Sequence, residues 1–356
     1  MNLIATAPHL LRLLLIGLAL TLAAHGQTSY TITNLTTLAN TATLVVPYAI
    51  NNSGQVTGRE VVGGYNHVFL YGNGAMLDLG TAGGPGTGSV GTGINNSGSI
   101  VGFLSNSYSS GILYSGGVLS DLGHFGGTQA ELFGINDSGV IVGNLYTTGA
   151  SAALIGGAVP GIGNLGGNYV NAVAINNSGW VAGSSSITTG VNPQYHAYLY
   201  NGTATIDLGT LVPGGTSSAS ALNNAGTVVG YSDGNGFIYS NGVMTMIDSL
   251  PAANGGDPLA INNLGQVVGV SGSHAFLYGA STGTLDLNSL VTGYPGWVLQ
   301  EAVGINDSGQ IVGYGTVYGA QAAFLLTPTA VPEPATTAAL GGMASLLVAW
   351  FRLRRR

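Results

Sequence analysis

One phrase, close to Ile-Asn-Asn-Ser-Gly-x-Val-Val-Gly, occurs seven times along this chain of 356 residues. Successive copies lie 39 to 47 residues apart, and their opening apolar residues are Ile50, Ile94, Ile135, Ile175, Leu222, Ile261 and Ile305. A period of roughly 40 residues is typical of β-propellers and solenoids. The repeat therefore restricts the fold more strongly than any other feature of the sequence.

Each copy predicts four short antiparallel strands. In copy five we expect strands over 219–223, 227–231, 236–239 and 243–250. The turn Asn224-Ala225-Gly226 joins the first two and Asn241-Gly242 joins the last two, since Asn and Gly accept a positive φ at low cost. Four short strands in one repeat of this length indicate a propeller blade.

The fourth strand of each unit carries an Asp or Asn followed closely by Leu. It recurs at Asp78, Asp121, Asn164, Asp207, Asp248 and Asp286, six times for seven copies. The missing one is Asn34, within the first predicted strand at 31–38, whereas copy seven stops after its third strand at 322–326. The sequence therefore predicts an all-β, seven-bladed β-propeller of four-stranded blades over 27–330, its ring closed by the N-terminal strand. Deleting 30–38 should collapse this domain, because a solenoid would cap its ends separately.

The third strand supports the same architecture. It reads His67-Val68-Phe69-Leu70-Tyr71, His196-Ala197-Tyr198-Leu199-Tyr200 and His274-Ala275-Phe276-Leu277-Tyr278, apolar on both faces as a strand between neighbouring blades should be. Here the chain resembles the HAF-repeat family of extracellular proteins, although copies two, three, five and seven lack the histidine. The resemblance implies secretion and no defined biochemistry.

Both ends of the chain carry predicted targeting segments. Residues 1–26 combine Arg12, an apolar run and the small-x-small site Ala24-His25-Gly26, which predicts a signal peptide. Residues 331–356 contain an apolar stretch at 335–351 that spans about 26 Å as a helix, just enough for a bilayer core. The arginines after it should stay in the cytoplasm, which places the residues before the apolar stretch on the opposite side of the membrane. The tail is defined by Val331, Pro332, Glu333, Pro334, Arg352, Arg354, Arg355 and Arg356.

A stop-transfer helix alone would explain the apolar stretch, but the order of motif, span and terminal arginines resembles the PEP-CTERM sorting signal. That resemblance implies a Gram-negative host that makes exopolysaccharide. It also implies transient insertion in the inner membrane and removal of the tail by an exosortase, leaving the protein at the cell surface or outside the cell.

Composition excludes several classes of function. Residues 27–330 hold 12 acidic residues and one base, Arg59, so their net charge is near −11. Nucleic acid binding needs clustered Lys and Arg, and so does binding to anionic lipid. Cysteine is absent, which removes disulfides and thiolate chemistry. No phosphate loop, zinc spacing or Ser-His-Asp order occurs, so we expect neither cofactor nor metal.

The repeat explains most residues that could otherwise suggest catalysis. The fourth-strand acids share their position with Asn34 and Asn164, so we expect them to bond to backbone rather than transfer protons. Asp137 and Asp307 alternate with Asn in the first turn and are interpreted in the same way. His67, His196 and His274 occupy one strand position on separate blades, too far apart to hold a shared ion at ~2.1 Å.

Three acids lie outside the fourth-strand and first-turn positions and share a different position in the repeat. Glu131, Asp257 and Glu301 each precede the apolar residue of the phrase by four residues. If the phrase belongs to the innermost strand, they stand around one end of the central channel. An aromatic ring beside carboxylate and amide groups can bind a sugar. The predicted saccharide site comprises Tyr294, Trp297, Gln300, Glu301, Asp257 and Glu131, and a solvated rim with a packed Trp is the alternative. Glu301→Gln and Trp297→Ala should leave folding intact and weaken binding.

Two functions remain after these exclusions. The first is an exported, non-catalytic surface or exopolysaccharide-matrix protein, with saccharide bound at the propeller rim. The second is a carbohydrate-active glycosidase or lyase that uses the acidic channel mouth, for which two carboxylates about 5–9 Å apart or a suitable base would be needed. The lack of any catalytic motif favours the first.

Overall fold

A computed structural model describes residues 29–329, except residues 40, 85, 106–107, 147–149, 156–161, 163, 190–191 and 252 and the side chains of 150–155. The predicted signal peptide (1–26) and sorting tail (331–356) lie outside the described residues. Tyr30–Pro328 form one compact unit. In the part of the chain that the structure describes, no helix has the length and apolar character needed to cross a bilayer.

The described residues fold into antiparallel sheets that follow the repeats. One strand precedes the first repeat: β1 (Ser29–Asn34). Repeats one and two contain β2 (Val45–Ile50), β3 (Val56–Val62), β4 (Tyr65–Gly72), β5 (Ala75–Gly80), β6 (Gly88–Ile94), β7 (Ile100–Ser105), β8 (Gly111–Ser115) and β9 (Val118–Gly123). Repeats three and four contain β10 (Gln129–Ile135), β11 (Ile141–Tyr146), β12 (Ala150–Ile155), β13 (Val170–Ile175), β14 (Val181–Ser186), β15 (Tyr195–Tyr200) and β16 (Thr205–Asp207). Repeats five and six contain β17 (Ser217–Leu222), β18 (Val228–Ser232), β19 (Asn235–Ser240), β20 (Val243–Met246), β21 (Asp257–Ile261), β22 (Val267–Ser271), β23 (His274–Gly279) and β24 (Gly283–Asp286). The last contains β25 (Trp297–Ile305), β26 (Ile311–Val317) and β27 (Ala320–Thr329), and short 3₁₀ helices lie at Thr36–Leu38 and Leu287–Leu290.

The propeller of four-stranded blades is confirmed, but the predicted strand count is wrong in one repeat. Six sheets have four strands, whereas the sheet of β10, β11 and β12 has three among the described residues, so six complete blades are seen instead of seven. The missing strand was predicted at Asn164. There the Asn164 Oδ1 accepts the Gly166 N–H at 3.1 Å in a turn. The same two-residue turn follows Asp78, Asp121 and Asp207 in the complete blades. Residues 156–161 and 163, which precede Asn164, lie outside the described residues.

The N-terminal strand completes the last sheet, whose order is β1-β27-β26-β25. The Leu35 N–H donates to the Ala323 carbonyl at 2.9 Å, and the Thr36 Oγ1 accepts the Ala323 N–H at 2.9 Å. Leu35 is fully buried between this sheet and that of β2 to β5. The predicted closure is therefore confirmed, and the collapse expected on deleting 30–38 stays a prediction.

The first strand of every repeat is the innermost. Each contacts the first strands of both neighbours, from β2 through β6, β10, β13, β17, β21 and β25 and back to β2. Apolar side chains fill the spaces between adjacent sheets, and the third strands contribute the bulkiest ones, which include Phe69, Tyr198, Phe237, Phe276 and Phe324. The core is therefore a ring of layers around a channel, as the doubly apolar third strands predicted.

Every innermost strand contains a β-bulge two residues before the apolar residue of the phrase. In β2 the register shifts between Pro47 and Ala49, so Tyr48 is the extra residue, and the other six strands shift at the same place. The partner strand carries a glycine opposite each bulge. At Gly183 a Cβ would lie 1.8 Å from the Asn171 carbonyl oxygen, closer than any atoms can approach. Glycine is thus required for the bulge, and the bulge turns one extra side chain out of the ladder.

Candidate functional site

The innermost strands of all repeats end in a closed ring of hydrogen bonds. The first asparagine of each phrase donates from Nδ2 to the carbonyl of the equivalent asparagine in the next sheet, at 2.9 to 3.2 Å. Its Oδ1 accepts two N–H groups of its own turn, as Asn136 does from Ser138 and Val140 at 3.1 and 2.9 Å. We name this set the asparagine ring: Asn51, Asn95, Asn136, Asn176, Asn223, Asn262 and Asn306.

The next residue of each phrase forms a second ring, more exposed than the first. Each backbone N–H donates to the side-chain Oδ1 of the following repeat, from Asn52 round to Asp307. Asp137 accepts from the Nδ2 atoms of Asn96 and Asn177 at 2.9 and 2.7 Å. Partial burial acts to raise the pKa of Asp137, but the hydrogen bonds from Asn96 and Asn177 outweigh it and lower the pKa below its ordinary value.

The two rings surround a polar cavity of about 210 Å³. Bonds between side chains and the backbone of the neighbouring repeat run around both rings. The structure therefore confirms that Asp137 and Asp307 bond to backbone, as their alternation with Asn predicted. This end of the channel, which we call the ring face, locks neighbouring blades together.

A second cavity, of about 450 Å³, lies farther up the channel. Glu301 precedes Asn306 by five residues, which places it roughly 15 Å from the asparagine ring along β25. Residues of three successive innermost strands, β21, β25 and β2, border the cavity, so it lies on the axis side. We call it the arginine cavity, defined by Val46, Tyr48, Arg59, Leu259, Glu301, Val303, Tyr314 and Gln321.

Bulges and cross-strand pairs bring these side chains together. Tyr48, Leu259 and Val303 are the extra residues of the bulges in β2, β21 and β25. Arg59 pairs with Val46 across β2 and β3, and Tyr314 pairs with Glu301 across β25 and β26. The cavity is thus made by equivalent positions of adjacent repeats, occupied by different residues in each.

Arg59 is held in place but keeps unused donors. Its Nε donates to the Tyr48 hydroxyl at 3.3 Å and its Nη1 donates to the Asn66 Oδ1 at 2.8 Å. Within the described part of the chain, no carboxylate oxygen lies within 4.0 Å of the guanidinium. A guanidinium has five N–H donors, and among the described residues no bond engages Nη2 or the second N–H of Nη1.

Glu301 is paired with a tyrosine on the next strand. The Tyr314 hydroxyl donates to Glu301 Oε2, and Oε1 accepts no hydrogen bond from the described residues. Burial, the hydrogen bond to Glu301 and the charge of Glu301, in that order of size, raise the pKa of Tyr314 well above its ordinary value. Tyr314 therefore stays protonated at neutral pH and acts as a donor.

Of the six residues predicted for the saccharide site, Glu301 lines this cavity and the other five do not. Trp297 packs edge-on against Phe324, with ring centroids 6.4 Å apart, which matches the packed Trp of the alternative interpretation. Gln300 lies half-buried at a second bulge of β25, between Leu299 and Glu301. Tyr294 is exposed in the segment before β25. A role for Trp297 in binding stays a prediction, but loss of its core contact should also lower stability.

The two other predicted acids lie on innermost strands but apart from the cavity. Glu131 Oε1 accepts from the Ser109 hydroxyl and Oε2 from the Tyr146 hydroxyl, both at 3.2 Å. Asp257 is exposed at the start of β21. Thus the three acids lie on three different sheets, and Glu301 alone of them lines the arginine cavity.

The sequence interpretation missed Arg59, Tyr48 and Tyr314. A signal for them existed in the comparison of the copies. Arg59 and Tyr314 occupy one repeat position, three residues into the second strand, where the other copies have Phe103, Asn144, Ser184, Tyr231 and Val270. The asparagine ring and the bulge glycines do not vary in any copy. Positions that vary within an otherwise uniform repeat therefore mark the cavity.

The histidines form separate pairs within their own sheets. His67 and His196 each place Nδ1 2.9 Å from Asp78 and Asp207, and His274 lies 2.7 Å from Asp286. The structural interpretation of the fourth-strand residues is also confirmed at six positions, where the side-chain Oδ1 accepts the N–H two residues later: Asn34, Asp78, Asp121, Asn164, Asp207 and Asp286. No group of three or more ionisable side chains in the described residues has the arrangement of a metal site.

Comparisons with known proteins support the fold alone. No family model matches the chain, and no curated protein is similar to it in sequence. Virginiamycin B lyase from Staphylococcus aureus is similar in structure, with a TM-score of 0.52, 11% identity, and coverage of 84% of this chain and 99% of that one. YCF48 bound to D1 peptide has a TM-score of 0.53 and 10% identity, with coverage of 86% of this chain and 97% of that one. A Mycobacterium tuberculosis puromycin-hydrolyzing peptidase has a TM-score of 0.51 and 14% identity, with coverage of 82% of this chain and 51% of that one. The chain is therefore a β-propeller protein.

Proposed function

We propose that this propeller is an exported, non-catalytic surface or exopolysaccharide-matrix protein that binds saccharide at the end of the channel opposite the ring face. Export rests on the signal peptide and the Pro-Glu-Pro tail of the sequence. Binding rests on a single structural observation, the placement of the exposed aromatic side chains.

Every exposed aromatic side chain in the described residues lies at the arginine cavity or on the face opposite the asparagine ring. Tyr48 lines the cavity itself. The other seven lie in, or directly next to, the connections between second and third strands or between successive repeats: Tyr65, Tyr108, Phe125, Tyr169, Tyr231, Tyr294 and Tyr318. On the ring face the exposed large apolar residues are aliphatic, among them Val118, Val243 and Leu264. Aromatic rings cover the C–H faces of sugars while their hydroxyls reach the solvent, so this face, the aromatic face, suits a glycan.

The arginine cavity provides polar groups beside these rings. It combines a guanidinium, a carboxylate, an amide and two tyrosine hydroxyls with the apolar Val46, Leu259 and Val303. A volume of about 450 Å³ falls within the range of ligand sites, roughly 300–1,000 Å³. A few polar groups placed among apolar side chains fix the orientation of a bound ligand.

A polysaccharide lyase is the second candidate, because Tyr314, Glu301 and Arg59 lie in one cavity. A tyrosine base would need a lowered pKa, whereas burial and Glu301 raise that of Tyr314. A glycosidase would need a second carboxylate, and Glu301 is the single acid among the cavity residues. Both features favour binding without turnover.

Binding and turnover can be separated in one experiment. The full chain, purified in mild detergent, is titrated with the exopolysaccharide of its host, and reducing ends and unsaturated products are followed over time. We expect saturable binding without new products. Formation of either product would replace the binding function with a hydrolase or lyase, and failure to bind would remove the saccharide function.

Export and processing need a separate test. Replacing Pro332, Glu333 and Pro334 by Ala should leave a larger form of the protein in the inner membrane, measured by fractionation and mass spectrometry. The unsubstituted chain should lose its tail and appear outside. Equal processing of both chains would contradict the sorting role of this motif.

A further inference from the structure

We propose that the arginine cavity takes a carboxylate-bearing sugar, a uronic acid unit, through Arg59. The inference rests on the proposed saccharide function and specifies the chemistry of its ligand. Arg59 is the one permanently charged cation among the described residues, and it lies in the cavity rather than on an outer surface. Its position, orientation and open donors all point to an anionic ligand group.

The guanidinium is oriented before any ligand arrives. Asn66 holds Nη1 at 2.8 Å and the Tyr48 hydroxyl accepts from Nε at 3.3 Å. These bonds fix the plane of the group, and no other bond from the described residues uses Nη2 or the second N–H of Nη1. Two parallel N–H groups match the two oxygens of a carboxylate, which is the strongest bidentate arrangement available to arginine. A neutral hydroxyl would use one of them and leave the charge uncompensated.

Glu301 does not prevent such a ligand from binding. The Tyr314 hydroxyl donates to Glu301 Oε2, which partly offsets the negative charge of this group. No contact within 4.0 Å links Glu301 to Arg59, so the guanidinium is not neutralised by the protein. The free Oε1 can accept a sugar hydroxyl. The cavity thus offers an anion-binding group on β3 and a hydroxyl-binding group on β25.

This polarity distinguishes a uronic acid from other saccharides. A neutral sugar leaves the donors of Arg59 without an anionic partner. A cationic amino sugar would be drawn to Glu301 but repelled by Arg59. A uronic acid places a carboxylate and ring hydroxyls on one rigid unit, so both ends of the cavity are used at once. Tyr48 beside Arg59 can cover the C–H face of the same ring.

The test compares charged sugars with their neutral counterparts. The probes are oligomers of galacturonate, glucuronate, mannuronate and guluronate, each paired with its carboxyl-reduced form of identical linkage. Binding to the full chain is measured by calorimetry, and Arg59→Gln and Arg59→Lys are measured beside it. Leu264→Ala is the control variant, because Leu264 is exposed on the ring face. Circular dichroism confirms that each variant is folded.

We expect at least one acid to bind about tenfold or more tightly than its reduced form, as a charge-assisted bond would give. Arg59→Gln should abolish that difference, Arg59→Lys should restore it in part, and Leu264→Ala should leave it unchanged. Preference for the reduced forms, or equal binding before and after Arg59→Gln, would overturn the inference and leave the saccharide function standing. Absence of binding to all eight probes would also overturn it. Titration with the host exopolysaccharide then decides the broader function independently.

Discussion

The ring face and the arginine cavity lie in the same channel but are built from opposite kinds of repeat position. The ring face uses one residue, asparagine, in all seven copies, and each copy makes the same bond to its neighbour. The cavity uses positions that differ from copy to copy, such as Arg59 and Tyr314. One end is therefore symmetric and the other is not.

This difference separates stability from recognition. A symmetric ring distributes a closure bond evenly over the blades, and replacing any member should weaken the whole fold. An asymmetric cavity can hold one ligand in one orientation, which a symmetric site cannot. Changes at the ring face should thus alter unfolding, and changes at the cavity should alter binding with little effect on unfolding.

The largest effect is expected for Gly183→Ala, opposite the bulge of β13 in repeat four. The new Cβ would lie 1.8 Å from the Asn171 carbonyl oxygen, so the strands must separate. We expect a loss of about 3 kcal/mol or more in the free energy of unfolding, measured with urea. Ser184→Ala, one residue along the same strand, is the control and should change it by less than about 1 kcal/mol. A stable Gly183→Ala protein would contradict the packing of the bulge.

The next effect concerns the asparagine ring. Asn136→Ala removes bonds to Ser138, Val140 and the Asn176 carbonyl from a residue that is 4% exposed. With each bond contributing roughly 1 kcal/mol, a loss of about 2–3 kcal/mol is expected.

Asn201→Ala is the matched control for this ring prediction. Asn201 caps a similar turn through the N–H groups of Thr203 and Ala204, at 3.0 and 2.9 Å, but makes no bond to another sheet. It should lower the unfolding free energy by about 1 kcal/mol or less. Equal losses for Asn136→Ala and Asn201→Ala in urea unfolding would mean that the ring adds nothing beyond local turn capping.

At the cavity, Glu301→Gln should lower the affinity for saccharide and leave the stability nearly unchanged. The Tyr314 hydroxyl keeps an acceptor, so we expect the unfolding free energy to change by less than about 1 kcal/mol. The affinity for saccharide should fall several-fold, because a neutral amide is a weaker acceptor than a carboxylate. Calorimetric titration and thermal melting of the same sample check both. Unchanged affinity would remove Glu301 from the site.

The smallest effects depend on pH and should have opposite signs in the two regions. Glu60, beside Arg59 on β3, is 3% exposed, and its Oε1 has no partner in the described residues. Burial chiefly, and then Asp78, raise the pKa of Glu60 above its ordinary value of 4.5, against a lowering influence of His67. The folded state thus holds this proton more tightly than the unfolded state. Stability from this group is full below pH 4.5 and is lost as pH rises through the folded pKa.

Asp137 in the second ring behaves in the opposite way. Its pKa lies below its ordinary value of 3.8, so its contribution is present above pH 3.8 and is lost as pH falls below it. Melting temperatures across pH 2 to 7 for Glu60→Gln and Asp137→Asn test both signs. Glu60→Gln should gain most over the parent protein at neutral pH, and Asp137→Asn should lose less on acidification. A reversed order would refute the assigned environments.

Much of the ring face was predictable from the sequence, because its residues recur. The period indicated blades, Asn34 indicated where the ring closes, and alternation of Asn with Asp137 and Asp307 indicated bonds to backbone. The exception is the fourth strand predicted at Asn164: this residue makes the turn expected of its repeat position, but the described residues of its sheet form three strands.

The cavity was not predictable in the same way. A bulge shifts the register by one residue, so simple alternation could not show that Tyr48, Leu259 and Val303 turn toward the axis. A second bulge of β25, at Gln300, lies between Trp297 and Glu301, and Trp297 packs on Phe324 instead of joining Glu301. Glu301 alone was found, because it shares its position, four residues before the phrase, with Glu131 and Asp257.

The separation of a structural end from a binding end can be tested directly with ¹⁹F NMR of fluorotyrosine-labelled protein, with signals assigned by single Tyr→Phe substitutions among the 17 tyrosines. Saccharide should shift the signals of Tyr48 and Tyr314 at the cavity. Tyr200, whose hydroxyl donates to the Gly202 carbonyl at 3.0 Å in a turn on the ring face, should not respond. Shifts at Tyr200 with none at Tyr48 and Tyr314 would contradict the assignment of binding to the arginine cavity.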